Sequence, residues 1–257
     1  MAFGYKTINV RKDGNVIVLT LSRPEKLNAL DSEMIADLGD AVKTISADAD
    51  CRCVVFEGAG EKAFSTGVDI SYLRTLSTNG NISRFVDGIH DLFESIEDLD
   101  KPTIAVINGF CLGGGLELAL SCDIRISTPT SKFGLPEVGL GLIPGAGGTF
   151  RLPRLVGISK AKEIIFTAGI VGAEEAHKIN LVNFVVEKWE LLETAMSLAK
   201  SISNNSGNAV SMAKKSIDSN FRADSSIEKG AFISCFKHPD SAEGIDAFLK
   251  HRKPKFI

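Results

Sequence analysis

The chain has 257 residues, with 29 Lys+Arg against 32 Asp+Glu and a formal net charge of −3, so it offers no broad cationic surface to a phosphate backbone. With 44% apolar and 24% charged residues it has enough apolar side chains to offset the entropy of ordering, which excludes a disordered chain. Its length allows one large domain, or one with a smaller appendage.

In chain order, Tyr5–Val10 and Val16–Leu21 alternate in polarity around Asp13-Gly14-Asn15 and predict a β-hairpin. The opening residues pass straight into this pattern without the charged and then apolar segments of a signal peptide. Asp31 is placed to cap a helix marked by Ile35, Leu38, Val42 and Ile45, which share one face. A strand is expected over Cys53–Glu57, an amphipathic helix over Ile82–Leu99, and further short strands over Thr103–Ile107 and Ile124–Ser127. Such alternation implies an α/β domain. From Trp189 onward the pattern is helical: Trp189–Ser203, Ala209–Asn220, Ser225–Phe236 and Asp240–His251, the last opened by an Asp240/Glu243 capping box. This divides the chain into an α/β core over 1–187 and a helical region over 188–257. No internal repeat of fixed period is visible.

The five cysteines form no C-x-x-C pair, which argues against a zinc site or a disulfide framework and for a reduced, cytoplasmic setting. The longest apolar stretch, Ile104 to Leu120, is broken by Asn108, three glycines and Glu117, so no membrane span is expected. No P-loop is present, and the nearest dinucleotide-type glycine pattern, starting at Gly139, has Pro144 at its third glycine position.

Ten glycines fall between Gly109 and Gly148, against three in the 85 residues after Gly172, and three segments there and upstream carry chemical interest. In Ile107–Leu120 a strand runs into Gly113-Gly114-Gly115 and then a helix, whose free N–H groups favour negative charge. Glu117 follows among Leu116, Leu118 and Ala119; it is either a helix-capping carboxylate or a buried one with a raised pKa. Glu137 stands in a second apolar, glycine-rich loop, Phe133–Gly148, either as a solvated charge or as partner to Glu117 in dividing acid and base roles. In Lys62–Ile70, Gly67 permits a tight turn that aims the N–H of Val68 at a ligand. His90, His177, His238 and His251 belong to no motif and read as surface or packing residues, which leaves Ser65 and Thr66 without the partner a hydrolytic triad requires.

With these segments, Ser22–Leu30, Ala63–Ile70, Asn108–Asp123, Phe133–Arg151 and the C-terminal Glu243–Phe248 with Arg252-Lys253-Pro254, the chain resembles the enoyl-CoA hydratase/isomerase (crotonase) superfamily over almost its whole length. The resemblance implies a spiral of ββα units with a C-terminal helical trimerisation region, assembling as a homotrimer or homohexamer. It implies an oxyanion hole from the backbone N–H groups of Val68 and Gly114, with Val68 where the family commonly has a smaller residue. Glu117 becomes the base that activates water and Glu137 the donor to the α-carbon of a trans-2-enoyl-CoA. Lys26, Leu27, Thr66, Asp69, Ile70 and Gly145 fall where the family contacts its acyl-CoA thioester, and the basic residues Lys250, Arg252, Lys253 and Lys255, beside Phe248, lie near the phosphates. No metal and no cofactor is expected, because coenzyme A is part of the substrate. Phe64, Leu73, Leu135, Val138 and Leu142 are the candidate acyl lining. The resemblance leaves open a double-bond isomerase using one carboxylate, a hydratase of cyclic or branched substrates, and a noncatalytic RNA-binding member. The last wants a Lys-rich helix, whereas Asp31–Ile45 has only Lys43.

Overall fold

A computed structural model describes residues 4–73 and 82–219, with isolated positions beyond. It contains a six-stranded sheet, ordered β1 (Ile8–Asp13), β2 (Val16–Leu21), β3 (Cys53–Gly58), β5 (Thr103–Ile107), β7 (Ile124–Ser127) and β10 (Phe184–Val185). A four-stranded sheet is ordered β4 (Ala63–Ser65), β6 (Phe110–Leu112), β8 (Lys132–Gly134) and β9 (Ile170–Gly172). The helices are α1 (Ser32–Ala47), α2 (Ile82–Glu97), α3 (Gly114–Leu120), α4 (Gly148–Val156), α5 (Ile158–Phe166), α6 (Ala173–Lys178), α7 (Leu191–Ser203) and α8 (Gly207–Ser219).

The β3–β4, β5–β6 and β7–β8 pairs each send one strand to either sheet, and each pair leads into helical residues. This is the ββα winding. Pairing is parallel along both sheets except at the β1–β2 hairpin and at β8–β9. The winding has no sequence period because the connections differ in length: α2 and its approach lie between β4 and β5, but only the short α3 lies between β6 and β7.

The large sheet is covered on both faces, so β2, β3 and β5 are buried almost throughout rather than alternating with polar residues. Ile17, Leu19, Val54, Phe56, Ala105 and Ile107 belong to the core that includes Leu38 and Val42 of α1 and Phe93 and Ile96 of α2. The intervening Val16, Val18, Val55, Ile104 and Val106 pack with Leu191, Ala195 and Ala199 of α7, as the two-residue period of a strand requires. Helix α7, although it follows residue 187, thus closes the outer face of the sheet. Helix α8 is tied in by Lys214, whose Nζ donates to Asp123 Oδ2 at 3.0 Å.

Asp31 caps α1 as expected, Oδ1 accepting from the Met34 N–H at 2.9 Å. The second strand of the hairpin has the expected bounds, Val16–Leu21, whereas the first lies later than its alternation suggests, at Ile8–Asp13 rather than Tyr5–Val10. The expected helix Ser225–Phe236 and most of Asp240–His251, with its Asp240 capping box, lie outside the described residues. Among the described residues no helix is long and apolar enough to cross a membrane.

Candidate active site

Strand β4 delivers the 66–68 turn beside the point where β6 runs into α3. Gly67 makes this approach possible: its φ is +89°, and a Cβ there would lie 2.8 Å from Gly114 N and 2.9 Å from Leu112 O. The flanking backbone is fixed, since Leu30 N–H donates to Gly67 O at 2.8 Å and Asp69 N–H to Leu30 O at 2.9 Å. Val68 N–H is passed over by this ladder, and Gly114 N–H opens a helix and has no intrahelical acceptor. Among the described residues neither of these adjacent donors has an acceptor. Ser65 is structural: its Oγ donates to Asn28 O at 2.8 Å and accepts from Gly67 N–H at 3.2 Å.

Glu117 is 2% exposed on the first turn of α3. Its Oε1 accepts from the N–H groups of Ala146 and Gly148, both at 2.8 Å, leaving Oε2 as the oxygen available to the cavity. It is not the cap of its own helix. Burial raises its pKa, opposed by the Gly148 and Ala146 hydrogen bonds and by His90 and Arg151 nearby. Glu137 sits in a 3-10 turn, Pro136–Leu140, which presents its side chain to Gly113: Oε1 lies 3.1 Å from where a Cβ of Gly113 would stand. Burial first, then the charge of Glu117, push Glu137 up to about 7, against a hydrogen bond from its own N–H. Its Oε2 is buried and accepts no hydrogen bond among the described residues, an arrangement that costs about 1–3 kcal/mol unless a bound group supplies a partner.

Thr66, Val68, Ile70, Gly114, Glu117, Glu137 and Gly145 line one cavity of about 570 Å³. Lys26, Leu27 and Asp69 do not. Leu27 is adjacent to the rim, its carbonyl accepting from Thr66 N–H at 3.2 Å, and this places the exposed Lys26 next to it in sequence. Asp69 is occupied structurally: Oδ1 accepts from Ser71 N–H at 2.9 Å, and Oδ2 lies 3.7 Å from Arg23. Of the expected acyl lining, Leu73 and Leu142 face the cavity, whereas Phe64 and Leu135 are core residues and Val138 packs against that core. At the C-terminus Arg252 is paired with Glu243 at 2.6 Å; Phe248 and Lys253 lie outside the described residues. No cluster of metal-ligating side chains occurs among the described residues.

His90 corrects the reading of the histidines as surface or packing residues, because it lines this cavity beside Phe85, Val86 and Ile89. The signal was its position on α2, four residues after Val86 and therefore on the same face. His177 does pack, its Nδ1 lying 3.2 Å from Val182 O, and His238 and His251 are outside the described residues. No local motif marks Arg151. It is 3% exposed and connects Glu97 to Ala146, the residue whose N–H holds Glu117.

A family model described as enoyl-CoA hydratase/isomerase matches residues 11–257. The chain is 43% identical to a short-chain-enoyl-CoA hydratase of Clostridium acetobutylicum, covering 95% of each chain. It is 41% identical to a crotonyl-CoA hydratase of Syntrophomonas wolfei, covering 98% of each. Among solved structures, an enoyl-CoA hydratase from Bacillus anthracis is similar at a TM-score of 0.94 and 38% identity, covering 98% of this chain and 99% of that one.

Proposed function

The chain belongs to the enoyl-CoA hydratase/isomerase family, and from that premise we propose that it adds water across the 2,3-double bond of a trans-2-enoyl-CoA to give a 3-hydroxyacyl-CoA. The observation that carries this reading is the pair Glu117 and Glu137 on one cavity beside the Val68 and Gly114 donors. The thioester oxygen is held by those two N–H groups. Glu117 Oε2 takes a proton from water as its oxygen attacks the β-carbon, and the π electrons move to form an enolate on the thioester oxygen. Glu137 then donates a proton to the α-carbon, so that H and OH are added and nothing is oxidised or reduced. A preorganised donor pair aimed at the developing oxyanion is the largest single contribution expected, since losing one donor costs about 2.7–4 kcal/mol of barrier.

Holding two carboxylates in an apolar site keeps one proton between them, because both cannot ionise freely. An isomerase needs only one such group, so the held Glu117 favours water activation. No cofactor enters these steps, and coenzyme A comes as part of the substrate. Lys26, near the rim, is proposed to meet its phosphates, with Thr66, Ile70 and Gly145 along the thioester. A homotrimer or homohexamer is proposed, for which the exposed Phe166 and Trp189 supply apolar surface. The four described cysteines are free and buried, in keeping with a reducing, cytoplasmic setting. The reading is tested with a panel of straight, branched and cyclic enoyl-CoA thioesters, following loss of enoyl absorbance and the chirality of the product. Hydration of the straight short-chain members supports it; migration of the double bond without hydration would replace it with isomerisation.

A further inference from the structure

Four residues, from three helices and the loop before α4, form a continuous polar chain that ends on the carboxylate of Glu117. Arg151, on α4, is 3% exposed although it carries a full charge. Its guanidinium is paired with Glu97 at the end of α2: Nε donates to Oε2 at 2.8 Å, and Nη2, 2.6 Å from the same oxygen, adds an ion pair but no hydrogen bond. From Nη1 it donates to the carbonyl of Ala146 at 2.9 Å. The N–H of that same Ala146 donates to Glu117 Oε1 at 2.8 Å, and Gly148 N–H joins it. Arg151 therefore holds from behind the loop whose front holds Glu117.

Two further observations mark the arrangement as built for this. Gly147 sits between the two donors with φ +106°, and a Cβ there would strike Arg151 Nη1, so the loop and the guanidinium fit together only with glycine at this position. A planar fork is also what the contact requires: it meets a carboxylate on one side and a carbonyl on another, which a lysine ammonium, being a point charge, cannot reproduce in the same directions.

We propose that Arg151, braced by Glu97, is a positioning residue for Glu117, fixing through Ala146 the direction in which the catalytic carboxylate presents its free oxygen. This rests on the reading of Glu117 as the water-activating base. The ionisable groups facing Glu117 are Glu137 from the 136–140 turn, His90 from α2 and Arg151 itself. Arg151 is the one of these that also sets the geometry of Glu117's hydrogen-bond donors. Letting the Ala146–Gly148 loop relax removes donors that favour the ionised carboxylate, so Glu117 then holds its proton to higher pH. A misplacement of about 1 Å at a reacting group is worth on the order of 100-fold in rate.

The test compares the intact protein with Arg151→Lys and with Glu97→Gln, a substitution that keeps the shape of a side chain only partly buried. Two readouts are taken: kcat and KM for crotonyl-CoA hydration, and the titration of Glu117 by 13C NMR of carboxyl-labelled glutamate, assigned with Glu117→Gln. Expected is a fall in kcat on the order of 100-fold for Arg151→Lys and a smaller one for Glu97→Gln, with KM changed less than about threefold. The Glu117 titration should move upward in both variants. A wild-type titration curve together with wild-type kcat in a folded Glu97→Gln or Arg151→Lys protein would overturn the proposal. If wild type does not hydrate crotonyl-CoA, the hydratase reading fails, and the Glu117 titration still decides whether Arg151 governs that carboxylate.

Discussion

Glu117 and Glu137 open onto the same cavity but are held in opposite ways. Glu117 Oε1 accepts two backbone N–H groups at 2.8 Å, whereas Glu137 Oε2 is buried and accepts none among the described residues. The two donors favour the ionised form of Glu117 against the burial that raises its pKa, and the missing donor leaves burial unopposed at Glu137 Oε2, which supports the proposed division into base and acid.

This division has a pH signature. Glu137 is lifted to about 7 from an ordinary value of 4.5, and as the proposed proton donor it would work in the protonated form. Hydration measured as kcat/KM should therefore fall as pH rises through about 7, with an apparent pKa that belongs to the coupled pair. A profile flat from about pH 6 to 9 would contradict the assignment.

Stability carries the same sign. A carboxyl whose folded pKa is raised binds its proton more tightly when folded, so its contribution is complete below about 4.5 and is lost as pH rises through about 7. Glu137→Gln removes this loss. Melting curves should show the variant gaining on wild type between about pH 5 and pH 8; a constant difference across that range would contradict it.

Gly67→Ala tests the proposed oxyanion donors without touching them chemically. A Cβ at φ +89°, 2.8 Å from Gly114 N, has to push the 66–68 turn away from α3. Loss of one aligned donor should lower kcat by about 100- to 1,000-fold. Activity within tenfold of wild type, in a protein with an unchanged melt, would mean that the donors do not act together.

In the proposed mechanism Val68 donates through its backbone, so its side chain is free to set the shape of the pocket. Its Cγ2 lies 3.4 Å from the position of a Gly114 Cβ, close to where the thioester carbonyl is proposed to dock. Val68→Ala should leave crotonyl-CoA hydration within about threefold and raise kcat/KM for a 2-methyl-branched enoyl-CoA by roughly tenfold or more. Equal effects on both substrates would assign Val68 to packing alone.

Lys26 is expected to act on binding and not on chemistry. Lys26→Glu should raise KM several-fold at low ionic strength and progressively less as salt screens the contact, with kcat unchanged. A change in kcat with KM constant would place the residue elsewhere in the account.

Much of this was legible in the sequence where a local rule suffices. Asp31 caps its helix because a short carboxylate before an apolar-periodic segment has an N–H to reach, and Glu117 and Glu137 stood out as charges in apolar, glycine-rich surroundings. Relations between distant segments were not legible. Glu97 and Arg151 meet across 54 residues, and nothing in either neighbourhood marks the other. Asp69 matched the motif by position, yet its carboxylate is held by Ser71 N–H and lies near Arg23, away from the cavity. Phe64 and Leu135 have the character of an acyl lining, but being large and apolar also suits a core, and the core takes them. Strand β2 is buried on both faces because α7, more than 160 residues later, covers the second one.

The most direct measurement is the rate of crotonyl-CoA hydration in Glu117→Gln, Glu137→Gln and the double variant. If the two carboxylates act as one unit on a single water, each single change should lower kcat by several orders of magnitude, and the double change should be little worse than the slower single. Near wild-type turnover in either single variant would contradict the two-carboxylate mechanism.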